Sequence, residues 1–225
     1  MSNMSPPKGE GALRRIARDP VSRRRFFALG GGTSAAAFLA ACGSSDDTTS
    51  STSSTAASTG TDDMASQFGE GDLGIVNYAL TLEYLETAFY NDAAKSGLFK
   101  GDDLALIKHI ADTEQQHVDA LTATAKKLGG PVAKAPKAEF PLKDPTAVLK
   151  LAATVENLGA AAYLGQAANI QSPDILAAAL SIHSVEGRHA AALNVLTGQE
   201  PTPDGAFAQG ADMQEVLDQV QPFLV

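Results

Sequence analysis

The sequence predicts an all-α protein, an antiparallel four-helix bundle with a long crossover between its second and third helices. Abundant Ala and Leu, few β-branched runs and only 6% aromatic residues favour helix over sheet. Four segments carry apolar side chains at helical spacing over about 25 residues each, or ~37 Å of helix. The breaks within each pair of segments are short, whereas the central one, residues 129–144, is long and holds three prolines. Each helix has an apolar stripe that only the other three can cover, and two hairpins joined by a crossover satisfy that requirement.

The chain opens differently. Residues 19–42 read DPVSRRRFFALGGGTSAAAFLAAC: a basic cluster at Arg23, Arg24 and Arg25, an uncharged stretch, then small residues, which is the anatomy of an export signal. Ser22 to Phe27 resembles the twin-arginine consensus, and Leu39-Ala40-Ala41-Cys42 resembles a bacterial lipobox, cleaved before a cysteine that is then lipidated. The stretch from Phe26 to Ala41 is shorter than the ~20 apolar residues a membrane span needs. Residues 1–41 are therefore expected to be a twin-arginine lipoprotein signal and Cys42 a lipid anchor. The partners this implies are the twin-arginine export machinery and a membrane, and the location is the outer face of the bacterial cytoplasmic membrane. Residues 42–66 are rich in Ser, Thr, Gly and Asp with almost nothing to bury, and read as a flexible tether reaching ~25 to 30 Å. As the sole cysteine of the chain, Cys42 also excludes an intrachain disulfide framework and any CxxC metal or redox motif.

The bundle is expected over residues 67–198. Asp72 reads as the N-cap of the first helix, whose apolar positions include Ile75, Val76, Leu80, Leu82, Leu85 and Phe89 before Gly97 ends it. The second helix runs from Asp102 or Asp103 to Leu128 and is closed by Gly129-Gly130-Pro131. Asp144-Pro145 caps and starts the third, to about Ile170. Ser172-Pro173 does the same for the fourth, which ends at Gly198. The tail, residues 199–225, holds a short helix near Asp212 to Val220 that is expected to dock on the bundle.

The second helix contains Glu114-Gln115-Gln116-His117 and the fourth Glu186-Gly187-Arg188-His189. Residues three apart share a helix face, so each E-x-x-H aims a carboxylate and an imidazole the same way. With ten Glu and four His in the chain, chance would supply about 0.2 such motifs. The first helix adds Glu83 and the third its only glutamate, Glu156. Glu83 precedes Glu114 by 31 residues and Glu156 precedes Glu186 by 30, while Tyr90 and Tyr163 both lie seven residues past their glutamate. The halves repeat each other. Four glutamates and two histidines converging on an apolar stripe need a cation between them, because a desolvated lone carboxylate costs several kcal/mol. Carboxylate and imidazole donors without thiolate suit iron or manganese rather than structural zinc.

These residues resemble the ferritin-like superfamily over about Asp72 to Gly198, in which two helices each give a Glu and two each give an E-x-x-H to a dinuclear carboxylate centre. The first helix, NYALTLEYLETAFY, is similar to that of exported ferritin-like domain proteins. The resemblance implies Glu83, Glu114, His117, Glu156, Glu186 and His189 as ligands of two Fe or two Mn ions, with Glu114 and Glu186 as bridges. Glu86, one turn beyond Glu83, is either a further carboxylate with a catalytic role or a solvent-facing charge. Tyr90 and Tyr163 either donate to ligand carboxylates, take part in one-electron chemistry or pack in the core. His183 is either a second layer behind the ligands or a satisfied core histidine, and His109 is a surface residue.

The resemblance implies an oxidoreductase acting on peroxide, dioxygen or Fe(II). The anchor and tail disfavour a mineral-filled cage, and the missing CxxC disfavours a built-in electron-transfer module. The other class of function is a non-catalytic structural or desiccation-associated module on the same bundle, distinguished by whether a channel reaches the Glu83/Glu86 side. The net charge of −9 divides unevenly, with seven Lys/Arg against two Asp/Glu up to Ala41 and ten against 24 beyond it. The domain is therefore strongly acidic and no nucleic-acid partner is expected. The resemblance also carries the expectation of a homodimer.

Overall fold

The computed structural model describes residues 67–225. The expected signal over 1–41, Cys42 and the whole tether over 42–66 lie outside the described residues. Four long helices follow, α1 (Gly71–Lys95), α2 (Gly101–Lys127), α3 (Pro145–Gln166) and α4 (Pro173–Leu196), then the short α5 (Met213–Val220) and a 3-10 turn (Gln221–Phe223). The described residues hold no β-strand, only one isolated bridge between Ala138 and Leu224. None of their helices is long and apolar enough to cross a membrane.

Local chemistry sets the helix ends. Asp144 Oδ1 accepts from the Ala147 amide at 2.9 Å with Pro145 in the first turn of α3, and Asp212 Oδ1 accepts from the Glu215 amide at 2.8 Å at the start of α5. Gly97, Gly129 and Gly198 take left-handed φ angles after α1, α2 and α4, which ends each helix without steric cost. Two ends differ from expectation. Asp72 lies inside the first turn of α1 and does not cap it. Its two carboxylate oxygens instead accept from the Gln171 and Ser172 amides, each at 2.8 Å, so it anchors the turn that leads into α4. The third helix stops at Gln166 rather than Ile170, because the chain turns there (Asn169 amide to Gln166 carbonyl, 2.9 Å) and drops the Ile170 side chain into the core.

The helices pack chiefly as α1 on α2 and α3 on α4, with α1 against α3 as a looser seam. The apolar core lies at the two ends of the bundle. One end gathers Phe89, Phe99, Ile107, Ile110, Val148 and Leu193, and the other Val76, Leu80, Val118, Leu121, Tyr163 and Ile182. At ~1.5 to 3 kcal/mol for each large apolar side chain removed from water, these ends carry the burial that offsets a polar layer between them. Along every long helix the transition from one end to the other crosses a buried glutamate, Glu83, Glu114, Glu156 or Glu186, and in α1 it also crosses Glu86.

The crossover runs along α1. It begins beside Asn77, whose buried amide donates to the Pro131 carbonyl (3.0 Å) and the Phe68 carbonyl (2.8 Å) while its oxygen accepts from the Ala133 amide (2.9 Å). It ends where Phe140 packs edge-on against Phe89, ring centroids 5.3 Å apart. The tail then closes over the seam: Val216 and Val220 are buried among Tyr78, Leu82, Leu85 and Ala162. Asn77→Ala strands three backbone groups, one buried and two partly buried, so it is expected to destabilise the protein by about 2 kcal/mol, measurable by urea unfolding, with the m-value unchanged.

Candidate metal centre

The glutamates of the four long helices are the polar layer. Their spacing on the apolar stripe leaves them no other direction than inward, and Glu83, Glu114, Glu156 and Glu186 are all fully buried. Two histidines one turn further on, His117 and His189, close the layer on the α2 and α4 side with 8% and 7% exposure. All six sequence-predicted residues meet in two overlapping groups: Glu83, Glu114, His117 and Glu186, and Glu114, Glu156, Glu186 and His189. Within each group one ligand atom per residue lies within 4.8 Å of all the others. Each group can hold a metal ion, and Glu114 and Glu186 belong to both.

The contacts argue for cations rather than for a hydrogen-bond network. His117 Nδ1 has Glu114 Oε2 at 2.8 Å, Glu186 Oε1 at 3.1 Å and Glu83 Oε2 at 3.3 Å. One ring nitrogen carries at most one hydrogen and cannot serve three carboxylates. His189 Nδ1 likewise has Glu114 Oε1 at 2.9 Å and Glu156 Oε2 at 3.2 Å without hydrogen-bond geometry. Both oxygens of Glu156 and of Glu186, together with Glu83 Oε2 and Glu114 Oε1, are buried without a hydrogen-bond partner. Buried polar atoms are rarely left so, and this set of orphaned oxygens and imidazole nitrogens, with no sulfur, fits divalent metal ions.

Residues 71–199, more than half of the chain, match the family model of the ferritin-like domain. The chain belongs to the ferritin-like family. No curated protein matches the sequence.

With protons as the only cations, the electrostatics of this ferritin-like centre are those of a ligand set competing for charge. Burial raises Glu83 to about 7, against hydrogen bonding from His117 and Tyr163. Burial and the neighbouring carboxylates push Glu186 well above the ordinary carboxylate range, and burial raises Glu156 too. Burial opposes ionisation of Glu114 as well, but the imidazoles of His117 and His189, 2.8 and 2.9 Å from its two oxygens, outweigh it and hold that carboxyl at about 2. Burial would lower both histidines, yet the carboxylates win and push His117 up to about 12 and His189 to about 9. A metal ion in either group would compete with these protons for the same atoms.

A second layer holds the first. Tyr163 donates from its hydroxyl to Glu83 Oε1 at 2.5 Å, fixing that carboxylate, and burial followed by the charge on Glu83 keeps the phenol protonated. Its register partner Tyr90 is fully buried with its hydroxyl beside Glu156, the matching carboxylate of the other half, but without the hydrogen-bond geometry that Tyr163 has to Glu83. Thr113 gives its hydroxyl hydrogen to the His109 carbonyl at 2.7 Å, leaving the oxygen to accept from His189 Nε2 at 3.4 Å. That contact turns the Nδ1 lone pair of His189 inward. The residue before Glu186, in the place Thr113 holds before Glu114, is Val185, which offers no hydroxyl. Glu86 is not solvent-facing: it is 4% exposed and lies inside the bundle, though outside both groups of four. His183 is half-buried with its Nδ1 3.0 Å from the Ala160 carbonyl, and His109 is exposed on α2.

Sequence reasoning missed Thr113 and Gly159. Gly159 lies three residues past Glu156, as Glu86 lies three past Glu83, so the same register that aligned the glutamates pairs a carboxylate with a missing side chain. Tyr163→Phe is expected to leave the fold intact and weaken metal binding by about tenfold, read by calorimetric titration with Mn(II); an unchanged affinity would separate Tyr163 from the site.

Proposed function

We propose that this protein is an exported, membrane-tethered ferritin-like oxidoreductase holding a dinuclear iron or manganese centre and acting on peroxide or Fe(II). The observation that carries this reading is the pair of overlapping ligand groups sharing Glu114 and Glu186. Glu83 and His117 would hold one ion, Glu156 and His189 the other, and Glu114 and Glu186 would bridge. When bound, the metal pair supplies the change of oxidation state. The chain supplies the rest: the apolar ends of the bundle exclude bulk water, Tyr163 and Thr113 orient ligands, and Glu86 holds a proton beside the centre, pushed well above the carboxylate range by burial and then by Glu186 and Glu83. A folded metal centre also gives a reason for twin-arginine export, with Cys42 as the anchor.

The other reading, a structural or stress-associated module without turnover, needs a sealed centre. A cavity lined by Glu86 supports turnover instead. The test is elemental mass spectrometry on residues 62–225 purified without added metal or chelator. About two iron or manganese ions per chain are expected, and their identity selects ferroxidase or peroxide assays; a stable helical protein without metal overturns the centre. For the anchor, Cys42→Ser is expected to move the full-length protein from the membrane fraction to the soluble one.

A further inference from the structure

We propose that the seam between α1 and α3 is the path by which a small uncharged oxidant reaches the centre, with the C-terminal segment as its outer wall and Glu86 at its inner end. This inference rests on the dinuclear reading above and adds the substrate's chemical class and route. A cavity of about 20 Å³ lies in the seam, bounded by Leu82, Glu86, Val155, Gly159, Val216 and Phe223 among others. A water-sized molecule needs ~10 to 15 Å³, so the space suits water, peroxide or dioxygen and little else. Its wall is almost wholly apolar and Glu86 is its one ionisable side chain. A hydrated divalent ion finds a single carboxyl there to replace its water, whereas a small uncharged molecule loses little on entering.

The inner end touches the centre through Gly159. A Cβ at that position would lie 2.7 Å from Glu86 Oε1 and 3.3 Å from Glu186 Oε2, so both carboxylates rest over the bare backbone of α3. Any side chain there would displace Glu86 or close the gap. One half of the repeat brings a carboxylate to this point and the other half brings its absence, so the cavity meets the centre here. The outer wall is built rather than draped. The Ala211 amide donates to the Ala161 carbonyl at 3.0 Å, the Glu139 amide to the Phe223 carbonyl at 2.9 Å and the Val225 amide to the Lys137 carbonyl at 3.1 Å. Gly165 lets Ala211 approach so closely that a Cβ would lie 1.9 Å from its carbonyl oxygen. On the α2 and α4 side of the polar layer, His117 and His189 keep 8% and 7% exposure.

The experiment compares wild type, Val155→Phe, which fills the cavity, and Phe223→Ala, which opens its wall. Nitric oxide, uncharged and of similar size, is mixed with the anaerobic Fe(II)-loaded proteins and its binding followed by absorbance, and Co(II) uptake by the metal-free proteins is timed separately. Val155→Phe is expected to slow nitric oxide binding about tenfold and Phe223→Ala to speed it about threefold, with Co(II) uptake within about twofold throughout. The opposite signs distinguish a path from general loosening, since both variants lose packing. Equal nitric oxide rates in the three proteins overturn the path while leaving the dinuclear reading intact. Co(II) uptake slowed in step with nitric oxide overturns the uncharged class, because cations would then share the seam. A wild type that takes up no metal sinks both.

Discussion

Glu114→Ala/His117→Ala is expected to bind no stoichiometric metal, losing both ions rather than one. Glu114 belongs to both ligand groups and its oxygens approach both histidine Nδ1 atoms, so its removal takes a ligand from each ion. Glu156→Ala is the informative contrast: Glu156 belongs to the second group alone and its loss is expected to leave about one ion per chain. The effect extends to stability. A ligand present at a hundredfold excess over its dissociation constant stabilises the folded state by about 2.7 kcal/mol. Wild type should therefore melt at a temperature that climbs with added metal, while Glu114→Ala/His117→Ala should melt at one temperature regardless. Undiminished two-ion loading in that variant would sink the centre as assigned.

The second large effect is a reversal of pH dependence between chelator-treated and metal-loaded protein. Glu83 is raised to about 7, above its unfolded value, so its contribution to the chelated protein is fully present in acid and is lost as pH rises through about 7. Glu86, Glu156 and Glu186 are raised in the same direction by burial first. His189, held at about 9, and His117, at about 12, also bind protons in the folded state that the unfolded chain releases nearer 6.5, so their contributions fade through those higher values. Only Glu114, depressed to about 2, runs the other way, and its contribution is lost only as pH falls toward 2. The chelated protein should thus become easier to unfold in urea between about pH 5 and 9. Metal binding displaces the same protons, so loading near neutral pH should release them to a weakly buffered dye and the loaded protein should gain stability over that interval. Parallel pH profiles with and without metal would show that these protons and the metal do not compete for one place.

Much of this was written along the chain. Helix-period apolar stripes, the Asp144-Pro145 start and the proline-rich break at 129–144 determined four helices and a crossover, because local propensity and burial agree at those positions. The repeated spacing of Glu83, Glu114, Glu156 and Glu186, with histidines three residues after two of them, determined the candidate centre, since residues at i and i+3 must share a helix face whatever surrounds them. What periodicity could not decide is which partner each polar atom meets. Asp72 looked like a cap for its own helix and instead holds the turn before α4, nearly a hundred residues away. Tyr90 and Tyr163 are equivalent in register and each faces the glutamate of the other half, yet only Tyr163 meets its carboxylate, Glu83, in hydrogen-bond geometry. Glu86 could face either way until α3 presented Gly159 opposite it. These are contacts between helices, set by crossing geometry and by the tail that covers the α1/α3 seam, and a one-dimensional pattern carries the face of a helix but not the depth and rotation at which two faces meet.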